Sequence, residues 1–166
     1  MASLTLKNVK KIYPFNGDDA KKNKKKMSDE ERKALALKNS KFEQNKGKMI
    51  MPVEGGVIVE QFGLHEHHAH KHITVNNTGL EIAAAAGADV HNIFEGTVSR
   101  VTVIPGLNYC VMVKHGDYFT LYANLASVCV GKDEVVTAGS KVGSLATSDN
   151  PDDHQLHFEL WYMTIR

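Results

Sequence analysis

Five imidazoles fall within eight residues, at His65, His67, His68, His70 and His72. Imidazole is the commonest transition-metal ligand, so zinc, nickel or copper is the chemistry such density offers. A metal site also needs fixed ligand geometry and hydrogen bonds that orient the rings, and residues 63–71 read as a flexible loop. The expectation is a solvated loop of weak metal affinity, with His65 and His67 as the candidate ligands. A second polar set lies near the C-terminus. In Gln155-Leu156-His157-Phe158-Glu159-Leu160-Trp161, the two-residue period of a strand puts Gln155, His157 and Glu159 on one face and Leu156, Phe158 and Leu160 on the other. A histidine on a strand is more often held by hydrogen bonds than used as a ligand, so these residue types alone do not define a site. Cys110 and Cys129 each sit inside an apolar, β-branched run, where a thiol reads as a small buried hydrophobe.

The elements that must position these groups fall into unequal parts. The 166 residues, 42% hydrophobic and 23% charged, suit one ordinary domain, large enough to bury a core without a disulfide or metal staple. The net charge of +1 is a cancellation: up to Lys48 there are 14 basic against 6 acidic residues, and beyond it 6 against 13. Residues 1–27 therefore read as a basic, low-complexity leader, disordered in expectation. Lys21, Lys22, Lys24, Lys25 and Lys26 carry no interleaved aromatic, so they read as a solvated linker rather than a nucleic-acid surface. No apolar run approaches the ~18 residues of a membrane-spanning helix. The opening residues lack the apolar stretch and cleavage site of a secretory signal, so nothing in them directs export.

Ser28-Asp29-Glu30-Glu31 is a capping box, in which Ser28 and Glu31 satisfy each other's backbone amides, and it predicts a short helix within residues 28–47. Such a helix is too short to stand alone and must dock or extend a longer one. From residue 48 to 163 the texture changes to glycine-punctuated runs rich in Val, Ile, Thr and aromatics. These argue for a mainly β domain, a sandwich or barrel. Strands are expected at 56–61, 73–76, 80–84, 89–94, 97–104, 109–114, 118–123, 127–130, 141–145 and 155–161. His115-Gly116-Asp117 is the clearest hairpin turn in the chain.

Residues 1–9 with Lys11-Ile12-Tyr13-Pro14 resemble the opening strand of sugar-importer ABC ATPases. No Gly-x-x-x-x-Gly-Lys-Ser/Thr loop follows, so ATP binding is not implied. Gly131-Lys132-Asp133-Glu134-Val135 and the Gly139-to-Gly143 segment echo lipoyl and biotinyl carrier hairpins, without the Met-Lys-Met tip; Lys132 reads as a turn residue. A wider match carries more weight. Asn77-Thr78-Gly79-Leu80-Glu81-Ile82, Gly87-Ala88-Asp89-Val90, Glu95-Gly96-Thr97-Val98, Tyr122-Ala123-Asn124-Leu125, Val142-Gly143 and Leu156-His157-Phe158-Glu159 resemble, in order and spacing, the lysostaphin/LytM-type zinc peptidase domain over residues 49–161. That resemblance implies a compact antiparallel β fold, the duplicated hybrid motif, with a groove in which a zinc-activated water cleaves peptidoglycan cross-bridges.

The same resemblance assigns roles position by position. The family's His-x-Gly-x-Asp zinc ligands fall on Asn77 and Glu81, the histidine of Tyr-Ala-His-Leu on Asn124, and the two histidines of His-Leu-His-Phe-Glu on Gln155 and His157. Only Glu81 and His157 keep a donor of the family's kind, so these residues imply a degenerate groove with no catalytic residue and, in expectation, no cofactor. Within that superfamily, Phe42-Glu43-Gln44-Asn45-Lys46-Gly47-Lys48-Met49, Pro52-Val53-Glu54-Gly55, Phe62-Gly63 and Ala123-Asn124-Leu125 resemble the EnvC-type murein hydrolase activators. These imply a non-enzymatic, periplasmic or envelope protein, in cell-wall remodelling and cell separation, whose groove binds a peptidoglycan amidase and is near peptidoglycan itself. Residues 28–47 would then be the remnant of a coiled coil. The alternative is a zinc-dependent peptidoglycan endopeptidase with an atypical metal site using Glu81, His157 and a further ligand such as His65 or His67.

Overall fold

The Ser28 hydroxyl accepts the Glu31 amide at 3.2 Å and the Glu31 carboxylate accepts the Ser28 amide at 2.8 Å, closing the cap that the sequence announces. Asp29, Glu30 and Glu31 crowd the first turn, where the helix dipole favours negative charge. In this computed structural model, which describes residues 3–4, 11–12, 28–67 and 70–163, the resulting helix α1 spans Asp29–Gln44. It buries a single side chain, Phe42, which stacks on Tyr118 and His115 and meets Phe94 edge-on, with ring centroids 4.7, 5.2 and 5.2 Å apart. Asn39 completes the docking by donating to the Asp117 carboxylate at 2.7 Å and accepting the Asp117 amide at 2.8 Å.

The strands, in chain order, are β1 Ser3–Leu4, β2 Lys11–Ile12, β3 Met49–Ile50, β4 Val57–Glu60, β5 Gly63–His67, β6 His70–Asn77, β7 Leu80–Ala83, β8 Asp89–His91, β9 Gly96–Ile104, β10 Asn108–His115, β11 Tyr118–Leu125, β12 Ser127–Val128, β13 Val135–Val136, β14 Lys141–Ser144 and β15 Gln155–Tyr162. The principal sheet runs β13-β9-β10-β11-β15-β7-β4 with every neighbour antiparallel, and β2 adds to β15 in parallel. A smaller sheet runs β12-β14-β8, β1 pairs with β3, and β5 pairs with β6. The mainly β, antiparallel architecture matches the reading of the sequence.

The core lies between the two larger sheets. Ile82, Val98, Val111, Val113, Tyr122, Leu156 and Phe158 meet Val53, Val90, Val142 and Leu145, all fully or almost fully buried. The Tyr122 hydroxyl donates to Asn92 at 3.0 Å and accepts the Ile93 amide at 2.9 Å, which satisfies its polar end inside an apolar setting. The opposite face of β10 and β11 carries a second small cluster, Cys110, Leu121 and Ala123.

Three expectations need correction. The flexible loop expected at 63–71 is strand at residues 63–67 and 70–71: β5 pairs antiparallel with β6, with His65 opposite Val75 and His67 opposite His70. Charged and imidazole side chains at alternate positions hid its apolar period. Cys129 is exposed rather than buried, because β12 ends at Val128; Cys110 is buried, and both thiols are free. Two-residue β13 falls outside the expected strands. His68 and most of residues 1–27, with the expected leader, lie outside the described residues; Ser3–Leu4 and Lys11–Ile12 pair with β3 and β15.

Candidate functional site

Strand alternation puts Leu156, Phe158 and Leu160 into the core and turns Gln155, His157 and Glu159 to the other face of β15. Because β15 is flanked by β7 and β11, that face is lined from both sides. His157 is the register partner of Glu81 on β7 and of Ala123 on β11. Its Nδ1 is hydrogen-bonded to Glu81 Oε1, and its Nε2 to Glu159 Oε1 at 3.0 Å. Two carboxylate acceptors require both ring nitrogens to donate, which is the imidazolium form. Burial works against that charge, but the hydrogen bonds to Glu159 and Glu81 outweigh it and raise the His157 pKa from 6.5 to about 9.

Glu159 is as buried as His157, each 6% exposed. It accepts from the Thr78 hydroxyl at 2.5 Å and from the Trp161 indole N–H. Burial alone would raise its pKa, yet His157, Thr78 and Trp161 together hold it below the ordinary carboxylate value. Thr78 reaches β15 because Gly79 passes against it: a Cβ at Gly79 would strike the Phe158 carbonyl. Thr78 and Trp161 escape sequence reasoning, whereas the strand period does place Glu159 beside His157.

Asn124 sits at the end of β11 with a left-handed backbone, φ 65°, a conformation asparagine tolerates better than most residues. Its side-chain amide donates to the Gln155 carbonyl at 2.7 Å and accepts from Asn108 Nδ2 at 2.7 Å, tying β11 to β10 and β15. Gln155 is half-buried and donates to Asp152 at 3.3 Å. Asn77, 8% exposed, accepts the Gly79 amide through Oδ1 at 3.1 Å, and its Nδ2 makes no hydrogen bond among the described residues.

The structure thus joins Glu81 to His157 directly and Asn124 to Gln155 through a backbone bond. Asn77 opens the turn that carries Thr78. His65 and His67 belong to the separate hairpin β5–β6. Among the described residues no three His, Cys, Asp or Glu side chains gather into a group able to hold a metal ion. Beside Asn124 a cavity of about 440 Å³ is lined by Val103, Asn108, Tyr109, Leu125 and Asp153, with Val103 and Tyr109 59% and 44% exposed.

Comparison with known proteins gives this arrangement a family. The chain is 32% identical over 119 residues to the cell division protein DipM of Caulobacter vibrioides, covering 70% of this chain and 18% of that protein. It is 30% identical over 113 residues to the murein hydrolase activator NlpD of Escherichia coli, covering 67% and 27%. It therefore spans less than a third of either relative. The fold matches Csd3 of Helicobacter pylori with a TM-score of 0.58 at 21% identity, over 69% of this chain and 31% of that one. The model of "Peptidase family M23" matches residues 75–165, more than half of the sequence and all of the strands from β7 to β15, and the chain belongs to that family.

Proposed function

We propose that this chain is a non-catalytic member of its family that binds a peptidoglycan amidase through the groove beside β15 and activates it during cell-wall remodelling and cell separation in the envelope. The observation that carries this reading is the engagement of His157 by two carboxylates. An imidazolium has no lone pair with which to ligate a metal or accept a proton.

Zinc is the metal that the peptidase resemblance implies, and the donor set does not fit it. A catalytic zinc takes three protein ligands and leaves a position for water. Here the corresponding positions offer Glu81, His157 and an amide at Asn77 whose oxygen already accepts the Gly79 N–H. Asn124 and Gln155 hold carboxamides, which do not take up a proton from water at neutral pH. Asn124 instead acts as a latch between strands. The polar floor is therefore fixed by internal bonds, and beside Asn124 lies a recess in which Val103, Tyr109 and Leu125 stand with the polar Asn108 and Asp153. A pre-formed recess of this kind suits an anchoring side chain from a protein partner. The relative NlpD, named a murein hydrolase activator, supports the activating part of this reading, and DipM, named a cell division protein, its place in cell separation.

Calorimetric titration of the full chain with a purified amidase tests the reading. Saturable binding is expected, weakened at least about tenfold, or ~1.4 kcal/mol, by Val103→Glu and by Tyr109→Ala. Leu37→Glu, on the exposed side of α1, is expected to leave it unchanged. Absence of binding, or binding indifferent to the recess substitutions, overturns it.

A further inference from the structure

The recess beside Asn124 joins an apolar wall to a carboxylate. Val103 on β9 is in register with Tyr109 on β10, and Tyr109 with Leu125 on β11. Directly opposed residues share a face of a sheet, so the three side chains form one row across three strands. Val103 and Tyr109 are exposed. The charged residue of the lining is Asp153, in the short 3-10 helix Pro151–His154. That helix runs directly into β15 and is tied to the end of β7 by the Ala84 amide, which donates to the His154 carbonyl at 3.1 Å.

Asp153 is half-buried and has acceptor capacity to spare. It accepts the Ser148 hydroxyl at 2.5 Å and Asn150 Nδ2 at 3.4 Å, both neutral donors, and a carboxylate offers about four lone-pair positions. Among the described residues the ion pairs are Lys141–Asp89 and the two made by His157, so no cation of this chain pairs with Asp153 there. An aliphatic anchor filling the recess would take water from this carboxylate and give it no counter-charge, which is costly. An arginine answers both halves of the lining. Its methylenes lie along apolar surface, and its planar guanidinium stacks on an aromatic ring and hydrogen-bonds a carboxylate. A lysine ammonium, compact and more strongly hydrated, matches the ring less well. The charge of the domain acts in the same direction: beyond Lys48 there are 6 basic against 13 acidic residues, a balance that draws a cationic segment toward it.

We propose that the recess takes an arginine side chain from the partner protein, its guanidinium over the Tyr109 ring and against the Asp153 carboxylate. The choice of side chain comes from the recess; that its bearer is an amidase rests on the function proposed above.

The test follows backbone amide NMR shifts of the full chain on titration with acetyl-Leu-Arg-Leu-amide and with the same peptide carrying citrulline, which keeps the shape of arginine without its charge. The arginine peptide should move the amides of Val103, Tyr109 and Asp153 saturably, at least about fivefold more tightly than the citrulline peptide. Asp153→Asn, which keeps an oxygen for Ser148, and Tyr109→Leu, which keeps an apolar wall without the ring, should each erase most of that preference. Asp149→Asn removes the same charge from the exposed loop outside the recess and should leave it within about twofold. Equal binding of the two peptides, or a preference indifferent to Asp153→Asn, overturns the proposal. Titration with a purified amidase separates the two readings. Amidase binding weakened by Val103→Glu but not by Asp153→Asn removes the arginine and leaves the proposed function standing. Selective uptake of the arginine peptide without amidase binding does the reverse.

Discussion

Glu81 of β7 and His157 of β15 are cross-strand register partners whose carboxylate and imidazole are hydrogen-bonded to each other. Glu159, two residues along β15, takes the other ring nitrogen at 3.0 Å. The result is a buried cation between two anions, fixed at its far end by Thr78 and Trp161.

Removing one carboxylate exposes the cost of the arrangement. Glu159→Gln leaves a buried positive charge with one anionic partner and is expected to cost about 3 kcal/mol, the usual size for breaking a buried ion pair. Urea denaturation reads this as a lower midpoint at unchanged slope. A loss below about 1 kcal/mol, the scale of an exposed pair, would mean that the charge is not confined.

Two histidines set opposite limits on stability with pH. His157 is raised to about 9, so the folded state holds its proton more tightly than the unfolded chain. The stability it contributes is complete below about pH 6.5 and is lost as pH rises through 9, at up to ~1.4 kcal/mol per pH unit. His115 donates to the Glu95 carbonyl and accepts from Thr120. Burial lowers its pKa to about 4, so the unfolded state binds the extra proton and stability falls as pH drops from about 6.5 toward 4. Denaturation from pH 4 to 10 should show a maximum near neutrality. His157→Gln should flatten the alkaline side alone; an unchanged alkaline slope in that variant would contradict the assignment.

The local features were legible and the long-range ones were not. Ser28 and Glu31 locate the start of α1 because a capping box is a four-residue interaction. His115-Gly116-Asp117 locates the β10–β11 turn for the same reason. Residue types also put His157 and Glu159 on one face. That His157 meets Glu81, 76 residues away, depends on β15 lying next to β7, which no local pattern encodes; only the family resemblance brought the two together. The β5–β6 hairpin was hidden because its alternation is of histidine with leucine and glutamate, and because the bulge before His67 breaks the period.

The docking of α1 rests on one aromatic side chain. Phe42→Ala removes the stack on Tyr118 and His115 and should cost about 3 kcal/mol, with the helical amides of Asp29–Gln44 losing hydrogen-exchange protection before those of β15. Asn39→Ala removes the bonds to Asp117 and should cost about 1–3 kcal/mol. Retained protection of the helix in Phe42→Ala would show that another contact holds it.

Gly79 is required by close approach rather than by an unusual φ. Gly79→Ala places a methyl against the Phe158 carbonyl and the Glu159 side chain. The turn must lift, Thr78 loses Glu159, and about 2 kcal/mol is the expected cost. Melting curves of wild type, Gly79→Ala, Thr78→Val and the double variant check the coupling, since Thr78→Val should add little once the turn has lifted.

On the proposed function, the groove recruits and stimulates an amidase and performs no hydrolysis. The direct measurement is dye release from labelled murein sacculi by a purified peptidoglycan amidase, by the full chain, and by the two together. The chain alone should release nothing, the mixture should exceed the amidase alone several-fold, and Val103→Glu or Tyr109→Ala should abolish the gain. Release by the chain alone that is blocked by a chelator and by His157→Ala would contradict a non-catalytic role.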